Sequence, residues 1–323
     1  MHKILITGVT GTIGSGLLNK LSNLNNIKII GVDSNKIKIK RMTQKYLKFR
    51  KINLHSLSIN NSNKLNKICR GINLIYHTAA IKDVVLAEKN PNETIKTNLQ
   101  GIQNLIKCSI SNNVNKVIFC SSDKAVNPTN VMGASKLIGE RLFIMANHIN
   151  KISKTKFSCV RFGNVLGSSG SFLPIFYKQI QNSQKLTITH KNMTRFIMSK
   201  DQAIKLLIKS ANISSGGEIF VLKMDSVKID EVASVLNKLY GNNKKNYKKY
   251  IGIRNGEKLY EELIAAEELN RTKEFKNYFV IYPNKKNIIN TKKIKKEEIH
   301  SDIGNFLSKR KIEYMIKKSY PLK

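Results

Sequence analysis

Residues 7–14 read TGVTGTIG; an apolar run from Lys3 to Thr7 leads into them, and a helical pattern from Ile13 to Leu24 follows. A glycine trio between a strand and a helix has a mechanical meaning. Gly8 permits a tight turn, Gly11 lets backbone approach a diphosphate, and Gly14 lets helix and strand pack closely. The first N–H groups of the helix, at its positive dipole end, then face the phosphates. Without that context the trio would be only a Gly-rich turn. In this context it predicts a dinucleotide cradle.

Working outward, Ile27 to Val32 is the next strand, and Asp33 ends it nineteen positions after Gly14. An acidic side chain there accepts hydrogen bonds from ribose hydroxyls and disfavours a 2′-phosphate, which points to NAD, with NADP as the alternative through Ser34, Asn35 and Lys36. A plain turn residue is the competing reading of Asp33. The stretch Lys36 to Asn66, rich in Asn, Lys and Ser, blurs the third unit. Strands then recur at Ile72 to His77, Lys116 to Ser121 and Phe157 to Phe162, separated by helices at Asn92 to Asn112 and Met132 to Asn147. This alternation predicts an α/β fold, a doubly wound parallel sheet of Rossmann type covered on both faces.

Beyond Gly163 the pattern loosens. Gly167 to Gly170 reads as a loop, Pro174 to Asn182 as a helix, Leu186 to Thr189 and Ile219 to Leu222 as short strands. Lys228 to Tyr240 and Lys258 to Ala266 read as helices, and Asn284 to Lys296 as a solvated surface segment. The expected division is residues 1–165 for the dinucleotide domain and 166–323 for a smaller substrate-binding lobe, partly interleaved with the first.

The 323 residues, 41% hydrophobic and 24% charged, suit a globular chain with a sizeable core. The formal net charge of +36 raises the thought of nucleic acid. Lys outnumbers Arg throughout and Asn and Ile are plentiful, as codon bias in an AT-rich genome would produce, and the aromatic interleaving that stacking on bases needs is missing. No nucleic-acid partner is expected. Cys69, Cys108, Cys120 and Cys159 lack any C-x-x-C spacing, so neither a disulfide framework nor a metal site is suggested. No apolar run reaches the roughly 20 residues of a membrane span. A cytoplasmic protein is expected.

Six stretches carry a more specific likeness: HTAAIKDVVLAEKNP from His77, IKTNLQGIQNLI from Ile95, VIFCSSDKAVNPTNVMGASKLIGE from Val117, VRFGNVLGSSGSFLPIF from Val160, MTRFIM from Met193 and IRNGEKLYEELI from Ile253. Together they resemble the UDP-N-acetylglucosamine 4,6-dehydratases, the polysaccharide-biosynthesis branch of the extended short-chain dehydrogenases/reductases. The resemblance covers most of the chain and is weak over residues 34–70 and 284–323. It implies oxidation of the hexose at C4, loss of the C5 proton, expulsion of the C6 hydroxyl as water and return of the hydride to C6. A homo-oligomer is implied as well.

Carried onto this chain, the resemblance makes Asp123 the general acid for the C6 hydroxyl, Lys124 the base for C5, Ser122 a donor to the C4 oxygen and Lys136 the partner of the nicotinamide ribose. Without the surrounding motif, the Asp123–Lys124 pair would read as a solvated turn. A lysine base needs desolvation or a neighbouring cation, for which Lys82 and Lys136 are the nearby choices. The cofactor is expected against Thr7, Gly8, Thr10, Gly11, Thr12, Ile13, Gly14, Asp33, Ser34, Ala79, Ala80, Asn98 and Lys136. The nucleotide-sugar is expected against Lys82, Asn164, Arg195, Arg254 and Glu257. His77 reads as packing beside the cofactor, and Glu261 and Glu262 as charges on a helix surface.

Met132 is the departure. Relatives with Y-x-x-x-K have a tyrosine four residues before the lysine, on the same helix face, and a thioether takes no proton. The resemblance points to a Met-bearing subgroup that retains the C5 configuration, with Asp123 or a water held by Ser122 as base for C4. An epimerase of the same fold and a catalytically silent NAD-binding module are the competing readings.

Overall fold

The computed structural model describes residues 2–149, 154–241, 245–284 and 294–319; most of the segment expected as solvated surface, residues 285–293, lies outside the described residues. The apolar runs of the first half form β1 (His2–Thr7), β2 (Ile27–Asp33), β3 (Ile52–Ser56), β4 (Leu74–His77), β5 (Lys116–Ser122) and β6 (Lys156–Phe162). They are parallel, in the order β3-β2-β1-β4-β5-β6. Strand order reverses between β1 and β4, which opens a crevice at their carboxyl ends.

Around these strands lie α1 (Thr12–Leu21), α2 (Lys36–Tyr46), α3 (Ser62–Cys69), α4 (Val84–Lys89), α5 (Pro91–Ile95), α6 (Gly101–Ser111) and α7 (Val131–Ile149). Alternate residues of one strand feed opposite cores. Ile4 and Ile6 pack with Leu17 and Leu18, while Leu5 packs with Leu65, Leu105 and Phe143. The blurred stretch after Asp33 is regular after all. It is polar because α2 buries only Ile39 and Tyr46 and the edge strand β3 only Ile52, so few apolar residues mark the pattern.

The helix expected at Asn92 to Asn112 is broken into α5, a π-helical turn at Lys96–Gln100 and α6. π-turns of this kind re-aim a side chain, and here Asn98 turns into the interior, 3% exposed.

The second half supplies β7 (Asn164–Val165), α8 (Phe172–Gln181), β8 (Leu186–Ile188), β9 (Thr194–Met198), α9 (Lys200–Ile213), β10 (Ile219–Leu222), β11 (Asp225–Lys228), α10 (Ile229–Tyr240), β12 (Lys248–Tyr250), β13 (Thr272–Glu274), β14 (Tyr278–Ile281) and α11 (Lys309–Ser319). β10 joins the large sheet beside β6, and β14 and β13 extend it to nine strands. α9 packs back on α1, with Lys200 and Ile204 against Gly16. The remaining strands form two small sheets, β11-β9-β7 and β12-β8, around a separate core that includes Leu173, Phe176, Val227 and Leu236.

The helix expected at Lys258 to Ala266 does not form. Leu263 N–H donates to Ile299 O and Ser301 N–H to Glu261 O, so a distant segment satisfies this backbone in an extended form. Only a 3₁₀ turn at Ala266–Arg271 follows.

Candidate active site

Gly8 has φ +67°, and a Cβ there would sit 2.6 Å from the Ala79 backbone nitrogen. Only glycine lets the turn pass beneath the loop after β4. A Cβ on Gly14 would run into the Gly8 carbonyl oxygen, so helix and turn touch as the trio requires. Gly11 caps α1 without a side chain, which leaves the first helical N–H groups without a side-chain acceptor at the mouth of the crevice.

Asp33 turns out to brace this turn. Its Oδ2 accepts from Thr10 N–H at 3.2 Å and Thr10 Oγ1 at 2.6 Å, and its Oδ1 accepts from Asn35 N–H at 3.0 Å. Asn98 clamps the facing loop. It accepts from Ile81 N–H at 2.8 Å and donates to Ile81 O and Ser135 Oγ, each at 2.9 Å, which fixes the segment bearing Ala79 and Ala80 against α7. His77 lies beneath, stacked on Phe119 with Nδ1 2.7 Å from Thr7 Oγ1. Burial and the Lys136 ammonium push it down to about 3, so it is a neutral ring.

The crevice opens into a cleft of about 1380 Å³, running from Gly11, Ser34 and Ala80 to Arg254 and Glu261. That volume exceeds the range typical of a single small-molecule site and accommodates two ligands side by side. Ser121 Oγ and Asn164 Oδ1 are buried on its wall without a hydrogen-bond partner among the described residues, as groups that meet a ligand often are. Cradle, open helix end and unpartnered wall groups together fit a dinucleotide such as NAD.

Past the end of β5, Asp123–Ala125 forms a 3₁₀ turn. Ser122 Oγ donates to Asp123 Oδ1 at 2.9 Å, and Lys124 Nζ donates to the same oxygen at 3.0 Å. Lys124 Nζ also lies 3.1 Å from Glu261 Oε1. Ser122, Lys124 and Glu261 stand on the cleft wall, whereas Asp123 is fully buried behind them, 0% exposed.

Burial pushes the Asp123 carboxyl up, with Glu261 adding to the shift and Lys124 only partly opposing it. For Lys124, burial pulls the ammonium down, but Asp123 and Glu261 outweigh it and hold it above its ordinary value. Glu261 is held low, because Lys124 and Arg195 overcome the cost of its burial. The neighbours expected for Lys124 are therefore corrected. Lys82 Nζ donates to Ser169 O at 2.8 Å and Lys136 Nζ to Cys120 O at 2.8 Å, while two carboxylates and Arg195 surround Lys124.

Lys136 is buried, 4.6 Å from the centre of the Phe119 ring, and desolvation brings it down to about 8. Met132, one turn earlier on α7, is buried and touches the cleft.

On the substrate side, Arg195 spends its donors on the chain itself. Nη1 donates to Thr194 O at 2.7 Å and Nη2 to Lys258 O at 2.9 Å, and Glu257 and Glu261 lie 3.6 Å away. It shapes the 257–261 segment more than it offers a free fork. Arg254 is exposed at the rim, its backbone N–H on Glu257 Oε2 at 3.3 Å.

Glu261, expected as a charge on a helix surface, is instead buried on the cleft wall. It is 1% exposed and lies on no helix, and only Glu262 next to it is partly exposed, bonded to Asn127 at 2.6 Å. The signal was the alternation Leu259, Glu261, Leu263, a strand-like face hidden by two adjacent glutamates.

A family model described as polysaccharide biosynthesis protein matches residues 4–283. The chain belongs to this family. Among relatives of this family member, an uncharacterized membrane protein of Methanocaldococcus jannaschii is 42% identical, over 97% of this chain and 95% of its own. A UDP-N-acetylglucosamine 4,6-dehydratase (inverting) of Campylobacter jejuni is 39% identical, over 87% and 82%. A UDP-glucose 4-epimerase of Rickettsia bellii is 36% identical, over 86% and 82%. Among solved structures, the X-ray structure of Pen from Bacillus thuringiensis superposes with a TM-score of 0.93 at 36% identity, covering 100% of this chain and 98% of that one. Of these two relatives with a named activity, one is a dehydratase and the other an epimerase. No helix among the described residues is long and apolar enough to cross a membrane.

Proposed function

We propose that the chain is an NAD-dependent UDP-N-acetylglucosamine 4,6-dehydratase, giving a UDP-4-keto-6-deoxy-hexosamine by internal hydride transfer. The observation that carries this reading is the Ser122–Asp123–Lys124 turn at the carboxyl edge of the sheet. Elimination needs an acid and a base beside the hexose, and epimerisation at C4 needs no acid to expel the C6 oxygen. Asp33 supports NAD over NADP.

Bound NAD would supply the reversible hydride acceptor. Ser122 Oγ, which donates to Asp123 at 2.9 Å, takes the proton of the C4 hydroxyl as it passes its own to that carboxylate. This route stands in for the tyrosine that Met132 replaces. Asp123, with its raised affinity for a proton, returns it by the same path to the departing C6 oxygen, which leaves as water. Lys124, once the proton that Asp123 and Glu261 hold on it has passed to water in the cleft, takes the C5 proton as a neutral amine and puts it back on the same face. Proton removal and return by one group keeps the C5 configuration. Lys136 holds the nicotinamide ribose and Arg254 binds the diphosphate, a task suited to a planar guanidinium fork.

The test is incubation of the purified protein with NAD and UDP-N-acetylglucosamine. A product one water lighter, with C5 retained by NMR, is expected. Unchanged mass with a new C4 or C2 epimer would assign it to the epimerases, and inversion at C5 would place it with the Campylobacter relative.

A further inference from the structure

We propose that Glu261 is a positioning residue of this reaction, sharing the Lys124 ammonium with Asp123 across the cleft wall and thereby deciding when Lys124 becomes the neutral amine the C5 step needs. The inference rests on the dehydratase reading and adds to it a residue from the far end of the chain.

Three observations carry it. The first is placement: Glu261 N–H donates to Ser301 Oγ at 2.8 Å, and Ser301 N–H donates to Glu261 O at 3.0 Å, so the backbone is pinned from both sides by the segment after Ile299. The second is the triangle itself. Lys124 Nζ stands 3.0 Å from Asp123 Oδ1 and 3.1 Å from Glu261 Oε1, and both carboxylates are all but fully buried. The third is incompleteness, since Asp123 Oδ2 and Glu261 Oε2 are buried with no hydrogen-bond partner among the described residues. A structural ion cluster saturates its oxygens, whereas here the remaining oxygens flank the one cation expected to give up its proton.

The groups facing Lys124 come from three places: Asp123 on its own turn, Glu261 on the irregular 257–263 segment and Arg195 on β9. Around Glu261 stand Lys124, Arg195 and Lys258, and Arg195 is itself faced by Glu257. Two anions against one nearby guanidinium keep the proton on Lys124 in the resting site. Converting Glu261 to a neutral amide removes one of those anions and leaves Asp123 as the sole carboxylate partner.

The measurement is exchange of the C5 hydrogen of the 4-keto product in D₂O, followed by NMR across pH, with the NAD-loaded protein. It reads Lys124 basicity without requiring the hydride steps. For Glu261→Gln, the pH of half-maximal exchange should fall by about one unit or more, since an opposite charge within hydrogen-bonding distance is worth that much. Glu261→Asp keeps the charge but draws it back by one methylene, so a smaller downward shift is expected. If Glu261→Gln does not fold, the Asp variant reads the same limb alone. Exchange reduced equally at every pH, with the midpoint unmoved, would make Glu261 merely structural and overturn the inference. Wild-type protein that neither exchanges C5 nor releases water would instead overturn the dehydratase reading.

Discussion

Two clusters of buried charge lie close together and are built on opposite plans. Arg161 on β6 binds Glu140 of α7 through Nε and Nη2, at 2.8 and 2.7 Å, and Glu268 through Nη1 and Nη2, at 2.6 and 2.9 Å, with Leu263 O taking a further bond at 3.1 Å. Every carboxylate oxygen of that cluster is bonded. The Asp123–Lys124–Glu261 cluster leaves one oxygen of each carboxylate without a partner among the described residues and touches the cleft. The same physics penalises burial in both. Under the proposed function the difference has a meaning: the saturated charges hold the fold, and the charges lacking partners are the ones kept for a ligand or a proton. The two clusters are also linked, because Arg161 grips Leu263, two residues from Glu261.

Lys124→Met should show the largest effect. Removing the proposed base is expected to lower product formation by about 10²- to 10⁴-fold, with NAD still bound, measured by turnover and cofactor fluorescence. Turnover near the wild-type rate would erase the functional half of the contrast.

Arg161→Leu tests the structural half. It strands two buried carboxylates, so a loss of about 3–5 kcal/mol is expected from chemical unfolding. The pH dependence follows from Glu268, whose carboxyl Arg161 holds below its ordinary value against the cost of burial. With the folded-state value depressed, its contribution is present above the unfolded carboxylate range and is lost as pH falls through the folded value. The variant should therefore differ most from wild type at neutral pH and least in acid.

Asp123→Asn sharpens the comparison with the smallest effect and the opposite sign. Burial raises this carboxyl, so its ionisation opposes folding as pH climbs past the unfolded carboxylate range. The amide should stabilise the protein near neutral pH, read as a higher denaturant midpoint, while slowing the reaction, a stability–activity exchange. Loss of stability at neutral pH would mean that Asp123 belongs with the structural charges.

Much is legible in the sequence alone. The strand–glycine turn–helix opening, the alternation of elements and the SSDK run each depend on neighbours a few residues away, and local periodicity reports such neighbours directly. The stretch after Asp33 was obscure because its helix and edge strand bury few apolar residues. The Lys258 to Ala266 helix was misread because its backbone pairs with residues 299–301, and no local pattern announces a partner some forty positions away.

The chain's own order of residues determined the sheet, the cradle and the turn that ends β5, since these follow from φ/ψ limits and side-chain spacing along one segment. Tertiary structure alone decided that Glu261, in a run of charges resembling solvent-facing helix, lies 3.1 Å from Lys124 while Lys82 and Lys136 turn elsewhere. The protonation of a buried ammonium is set by whichever charges folding brings within a few ångströms, and that proximity is a property of the packed chain, not of its spacing.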